Sequence, residues 1–209
     1  MNRIRLIALV GLTVCFLFGI LRARSAEPAD ALIARLVAID GLQGRFEQRQ
    51  FDEGGTLVRE SGGRFQLLRP GYFLWEITAP DSQLVIADPE HIWHYDRDLE
   101  TVTRRPVSGT LDASPLQVLG GDTTVLRERF RVNQPDPDRF VLTSDTGEGS
   151  FRELILGFSG NTIRAMEILN SLNQRIAIEF LEVEPTGQLQ PEDFRFSPPE
   201  GVDLFYYDE

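Results

Sequence analysis

The chain has 209 residues, 21 basic against 32 acidic side chains, a formal charge of −11, two His and one Cys, which is material for one ordinary domain and too little for two large ones. Every basic residue is Arg, so Schiff-base chemistry and a phosphate-loop Lys are excluded. A hydrophobic fraction of 42% with 14 Phe, 18 Gly and 12 Pro is too apolar for a disordered chain and fits many short strands broken by turns.

Residues 1–25 differ from everything after them. Arg3 and Arg5 precede an apolar run from Leu6 to Leu21, followed by Arg22, Ala23, Arg24 and Ser25. This reads as a secretory signal cut after Ser25, with Ala23 and Ser25 as the small residues a signal peptidase accepts. The alternative is an uncleaved anchor, although about 16 apolar residues fall short of the ~20 that span a bilayer. Cys15 lies inside the run between Val14 and Phe16, so no lipid-attachment signal is expected. Cleavage would remove four Arg and no acid, leaving residues 26–209 as one domain with 17 basic against 32 acidic side chains, net −15, and no Cys. No disulfide could then form. Such a charge argues against nucleic acid and against unaided adhesion to anionic headgroups.

The first predicted helix takes Asp30 as N-cap, repeats Leu32, Leu36 and Ile39 with Ile33 beside them, and stops at Gly41. Strands follow over 43–51, 56–68, 72–78, 82–88, 91–96 and 99–105. A broken helical stretch spans about 112–129: Ser114-Pro115 opens it, Leu116 and Leu119 share a face, Gly120-Gly121 interrupts, and Asp122 caps a second piece holding Val125 and Leu126. Five more strands are predicted over 129–134, 138–144, 151–159, 162–170 and 174–183. Asp52-Glu53-Gly54-Gly55, Ser144-Asp145-Thr146-Gly147 and Ser159-Gly160-Asn161 supply hairpin turns, so neighbouring strands should pair antiparallel. Phe73, Trp75 and Ile77 share one face, as do Leu84 with Ile86, Leu154 with Leu156 and Phe158, and Ile176 with Ile178 and Phe180. Apolar residues also occur on reverse faces, such as Tyr72 and Leu74 or Trp93 and Tyr95. Parts of both sides should therefore be covered, as in a curved sheet holding helices in its concavity.

Signals for catalysis are weak. His91 and His94 have an odd spacing that sends them to opposite faces of a strand, so no shared metal is expected. Asp145-Thr146-Gly147 has the tripeptide of aspartic proteases without a second copy. No Gly-x-Ser-x-Gly elbow occurs, and no cofactor is implied. A hydrolase of envelope glycans stays open as an alternative, with many acids but no recognisable pair.

Several motifs in order resemble the LolA family, the periplasmic carriers that move lipoproteins from inner to outer membrane in Gram-negative bacteria. Gly44-Arg45-Phe46-Glu47-Gln48 is similar to its Gly-x-Phe-x-Gln strand, and Ser61-Gly62 then precedes Arg69-Pro70-Gly71-Tyr72-Phe73-Leu74-Trp75, similar to its Arg-Pro-x-x-Phe-x-Trp segment. Pro80, Gln83 to Asp88, Trp93-His94-Tyr95-Asp96, Ser114-Pro115-Leu116 and Phe194-Arg195-Phe196-Ser197-Pro198-Pro199-Glu200-Gly201-Val202 continue the likeness to the end of the chain. Pro89 departs from a usual Asp-Gly turn, and the tail Tyr206-Tyr207-Asp208-Glu209 is acidic.

The resemblance implies a mainly β fold with a few α-helices, an incomplete antiparallel β-barrel (half-barrel) with a helical lid over a hydrophobic cavity. It implies acylated lipoproteins as cargo, an inner-membrane ATP-driven lipoprotein extraction complex and an outer-membrane lipoprotein receptor as partners, a periplasmic location, and no catalysis. A monomer is expected. Moving one ~16-carbon chain into water costs on the order of 12 kcal/mol, so a carrier must offer a dry hollow, loosely filled without cargo. The expected acyl-chain residues are Phe73, Trp75, Ile86, Phe158, Ile178 and Phe180 from strands, with Leu116 and Leu119 from the lid. Arg69, followed by Pro70, could donate to the unpaired carbonyls of a lid helix, and the matching family residue implies a lid latch. The same-fold receptor needs a lipidated Cys, and an envelope-stress regulator with a similar half-barrel needs a further domain.

Overall fold

In the computed structural model, residues 27–107, 115–121, 123–144 and 151–207 are described, apart from the side chains of Leu116, Gln117 and Val125. The expected signal segment, Ser114, Asp122 and the Asp145-Thr146-Gly147 turn lie outside them.

All eleven predicted strands form: β1 (Gly41–Phe51), β2 (Leu57–Leu68), β3 (Tyr72–Ala79), β4 (Gln83–Ala87), β5 (His91–Asp96), β6 (Thr101–Pro106), β7 (Phe130–Asp136), β8 (Arg139–Ser144), β9 (Glu153–Ser159), β10 (Thr162–Leu169) and β11 (Arg175–Pro185). With a twelfth strand, β12 (Asp203–Tyr206), they build one sheet in the order β12-β6-β5-β4-β3-β2-β1-β11-β10-β9-β8-β7. Among the described residues its two edges, β12 and β7, do not pair, so the sheet stays open as a half-barrel. The long pairing of β1 with β11, from Leu42 with Pro185 to Phe51 with Arg175, joins the two halves of the chain. β12 is not among the expected strands; it lies parallel to β6, with Asp203 opposite Thr101.

Three helices lie over the inner face: α1 (Pro28–Val37), α2 (Pro115–Gly120) and α3 (Thr124–Arg129). Gly120 and Gly121 separate the last two. Two details of α1 differ from the sequence expectation. Its N-cap is Glu27 and Asp30 sits in the first turn, where a carboxylate favours the helix dipole and meets Arg127 of α3 at 2.5 Å. Gly41 is the first residue of β1 and not a helix stop: a Cβ there would collide with the Thr186 carbonyl oxygen, an approach only Gly permits. Gly63 is fixed the same way, since a Cβ would run into the Glu76 carbonyl oxygen of β3.

The alternation of apolar residues places two cores on two faces. Inside, Phe46, Phe65, Trp75, Phe140, Leu142, Leu154, Leu156, Met166, Ile178 and Phe180 form a continuous buried floor with Leu32 and Leu36 of α1, Val118 and Leu119 of α2 and Leu126 of α3. Outside, the segment after β11 crosses back over the sheet and covers Leu74, Leu84 and Ile86 with Leu189 and Phe194. A short 3-10 turn, Pro191–Phe194, aims Phe194 at Tyr72, ring centroids 5.7 Å apart.

Candidate functional site

The inner floor is aromatic at its centre because β1, β2 and β11 each turn a ring inward and β3 turns two, Phe73 and Trp75. Phe46 stacks on Trp75 with centroids 3.6 Å apart and planes 21° from parallel. Phe65 meets Phe180 edge-on at 5.1 Å, and Trp75 meets Phe180 at 6.2 Å and 85°. Such edge-on contacts add to simple burial. Between these rings and Leu36, Leu42 and Leu119 remains a void of about 20 Å³, room for one water molecule. Among the described residues, Leu36 of α1 and Leu119 of α2 thus fill this part of the inner face, where the sequence leads one to expect a loosely filled hollow.

The residues expected to line an acyl-chain site divide accordingly. Phe73, Trp75, Leu119 and Phe180 border the void. Ile178 and Phe158 belong to the same inner core but stand away from it. Ile86 is a correction. It pairs with Leu74 across β3–β4, while Trp75 pairs with Val85, so Ile86 points to the outer face and packs in the Phe194 core. Leu116 lies in α2, and its side chain is outside the described residues. Leu36, on the predicted apolar face of α1, also borders the void, as do Leu42, Phe65 and Ile163, which the sequence does not single out; inward alternation along β1, β2 and β10 is the available signal for these three.

Arg69 sits at the β2–β3 corner. Its guanidinium donates to the Leu119 carbonyl at 2.5 Å and the Gly121 carbonyl at 3.0 Å, carbonyls at the C-terminal end of α2 that lack intrahelical partners. The Gly71 amide donates to the Gly120 carbonyl at 2.8 Å beside them. The Arg69 Nε is buried without a partner, and burial pulls the guanidinium pKa below its usual value.

A second arginine ties α1 to the opposite rim, and sequence reasoning missed it. Arg35 donates to the Gly160 carbonyl at 2.6 Å, the Pro137 carbonyl at 2.7 Å and Asp138 Oδ1 at 3.0 Å. It lies 5.1 Å from the Phe158 ring centre and 5.5 Å from that of Phe140. One Arg in an amphipathic helix carries no signal of partners more than a hundred residues away.

His91 and His94 lie on opposite faces of β5, opposite Pro106 and Thr103 respectively. Among the described residues no group of three or more His, Cys, Asp or Glu could hold a metal, and no helix is long and apolar enough to cross a membrane.

The family model for the outer membrane lipoprotein carrier protein LolA matches residues 38–197. The chain belongs to this family. An outer-membrane lipoprotein carrier protein of Halorhodospira halophila is 38% identical over 170 residues, 81% of each chain. One of Alkalilimnicola ehrlichii is 31% identical over 204 residues, 97% of this chain and 95% of that one. Among solved structures, an uncharacterized conserved protein from Thermus thermophilus superposes with a TM-score of 0.52 at 13% identity, covering 87% of this chain and all of the other, a likeness of fold alone.

The LolA motifs divide between the two faces. Phe46 and Trp75 form the inner floor. Trp93 and Tyr95 pack outside against Phe196 of the C-terminal motif, at 5.5 and 6.0 Å, and so hold the strap that closes the outer core. At Pro89, the turn is closed by Asp88 Oδ1, which accepts from the Glu90 and His91 amides at 2.7 Å each.

Proposed function

We propose that this chain is a periplasmic carrier without catalytic activity. It takes the acyl chains of lipoproteins released from the inner membrane and delivers them to an outer-membrane receptor. The observation that carries this reading is the aromatic floor around Trp75, roofed by three short helices. Recognition there is by burial of apolar area and needs no reacting group. Tails of ~16 carbons each offer on the order of 12 kcal/mol of transfer energy, enough to displace the α2 cover.

Arg69 is the latch in this scheme. Hydrogen bonds to a charged donor contribute about 1.5–3 kcal/mol each, so two of them hold the closed state against opening yet yield to an entering chain. With no phosphate-loop Lys in the sequence, energy for extraction comes from an ATP-driven inner-membrane complex. The acidic surface suits basic docking patches on both partners, and association weakens as salt rises.

The test is to incubate the purified protein with membranes that contain lipoprotein and the ATP-driven extractor. A soluble one-to-one lipoprotein complex is the expected product. Arg69→Leu retains folding and cargo binding but impairs release to the receptor. Absence of any soluble complex, or product formation from envelope glycan, would overturn the carrier reading.

A further inference from the structure

Beyond the roofed floor, the inner face continues across β4, β5 and β6 into an open cleft of about 430 Å³. Strand register builds its wall. Trp75 pairs with Val85, Val85 with His94, His94 with Thr103, and Ile92 with Arg105, so all of them share the Trp75 side. The Tyr207 amide donates to the Arg104 carbonyl at 2.9 Å, which extends the β12 ladder and brings Tyr207 to the rim.

The cleft has two chemically different ends. Val85 and Ile92 pack with buried Phe73, which also borders the void beneath the helices, so the apolar end adjoins the floor. At the other end stand Arg105, His94, Thr103 and Tyr207. Among the described residues none of these four side chains has a hydrogen-bond or ion-pair partner. Asp96, the acid two residues along from His94, is already engaged by the Gln83 amide at 2.9 Å and by the Asp98 and Leu99 amides. His94 is an exposed side chain, yet partial desolvation by the surrounding wall lowers its pKa, with Asp96 opposing the effect and Arg105 adding to it. Arg105 supplies the positive charge at this end.

We propose that this cleft binds the anionic head, a carboxylate or a phosphate, of an amphiphile whose hydrocarbon tail runs over Val85 and Ile92 toward Phe73 and Trp75. A guanidinium presents a planar fork of donors suited to either oxyanion, and the His94 ring, the Thr103 hydroxyl and the Tyr207 hydroxyl add donors around it. The net charge of −11 repels anions at long range, so a preference for an anionic head must arise at a local site. The proposal rests on the carrier reading only for the place of the tail.

Binding of four probes to the purified protein tests it: palmitate, a short-chain phosphatidylglycerol, the uncharged monoacylglycerol of palmitate, and inorganic phosphate. At least one anionic amphiphile binds about tenfold or more tighter than the uncharged one. Arg105→Gln abolishes that margin, Arg105→Lys restores part of it, and the uncharged ligand is unaffected by either. Palmitate alone showing the margin identifies a free fatty acid; phosphatidylglycerol alone identifies a phospholipid headgroup. Equal binding of charged and uncharged lipids, inorganic phosphate binding as tightly as the amphiphiles, or an unchanged margin in Arg105→Gln of normal thermal stability would overturn the proposal. Charge discrimination without lipoprotein transfer would sink the carrier reading and leave the cleft; transfer without discrimination would do the reverse.

Discussion

Two arginines tie the helical roof to the rims of the half-barrel, and they are anchored differently. Arg35 holds α1 through two carbonyls and the Asp138 carboxylate while lying over two Phe rings. Arg69 holds α2 through two neutral carbonyls, with no counter-ion among the described residues and with its Nε buried and unpaired. A charge that keeps a carboxylate partner is compensated in the closed state, whereas one facing only dipoles is held nearer to balance with water. The helices differ in the same sense. α1 has ten residues and buries Leu32 and Leu36 completely; α2 has six and is followed by Gly121. In the proposed carrier cycle the contrast favours α1 as the fixed flank of the roof and α2 as the flank that opens.

The floor beneath both flanks sets the scale. Trp75→Ala removes the ring stacked on Phe46 and should cost about 3–5 kcal/mol of stability, read by denaturant unfolding; a loss under about 1 kcal/mol would show that the floor is not the shared foundation. Arg35→Leu comes next, with about 2 kcal/mol lost from its charged hydrogen bonds. Hydrogen exchange should then speed up in α1 more than in α2. Arg69→Leu should change stability by less than about 1 kcal/mol, because removing a half-buried charge that faces only carbonyl dipoles among the described residues offsets the lost bonds. Its exchange signature should be confined to α2, and equal acceleration in both helices would break the asymmetry.

The smallest effect lies on the outer face, away from either latch. Burial would raise the Glu76 pKa, but hydrogen bonds from Arg97 and Arg64 outweigh it and hold the carboxyl below its usual value. A depressed folded-state pKa contributes stability that is present above the unfolded value of about 4.3 and is lost as pH falls through the folded value. Between about pH 6 and pH 3 the wild type should therefore lose more thermal stability than Glu76→Gln. A parallel decline would remove Glu76 from the account.

Much of this is legible in the sequence. Period-two alternation and turn residues such as Asp52-Glu53-Gly54-Gly55 mark eleven strands, because each strand must bury one face. Pro115 and the Gly120-Gly121 pair bound α2. Four of the eight expected acyl-chain residues border the void, Phe158 and Ile178 stand elsewhere in the same core, and the side chain of Leu116 lies outside the described residues. The sequence sends Ile86 inward because alternation shows that two faces of β4 differ without showing which element covers each. Gly41 reads as a helix stop because its close approach to Thr186 depends on a partner far along the chain. β12 escapes notice because four residues with exposed side chains form a strand only where β6 offers an open edge.

From the sequence alone follow the half-barrel class, the family, and the presence of a strongly apolar face on most strands, since these are properties of local period, turn chemistry and motif order. Tertiary structure decided which apolar face the helices roof and which the C-terminal strap covers, that Leu36 and Leu119 meet the Trp75 floor, and that Arg35 and Arg69 hold opposite rims by unlike means. Those outcomes depend on long-range packing, where the burial of each side chain is settled by the segment that arrives to cover it.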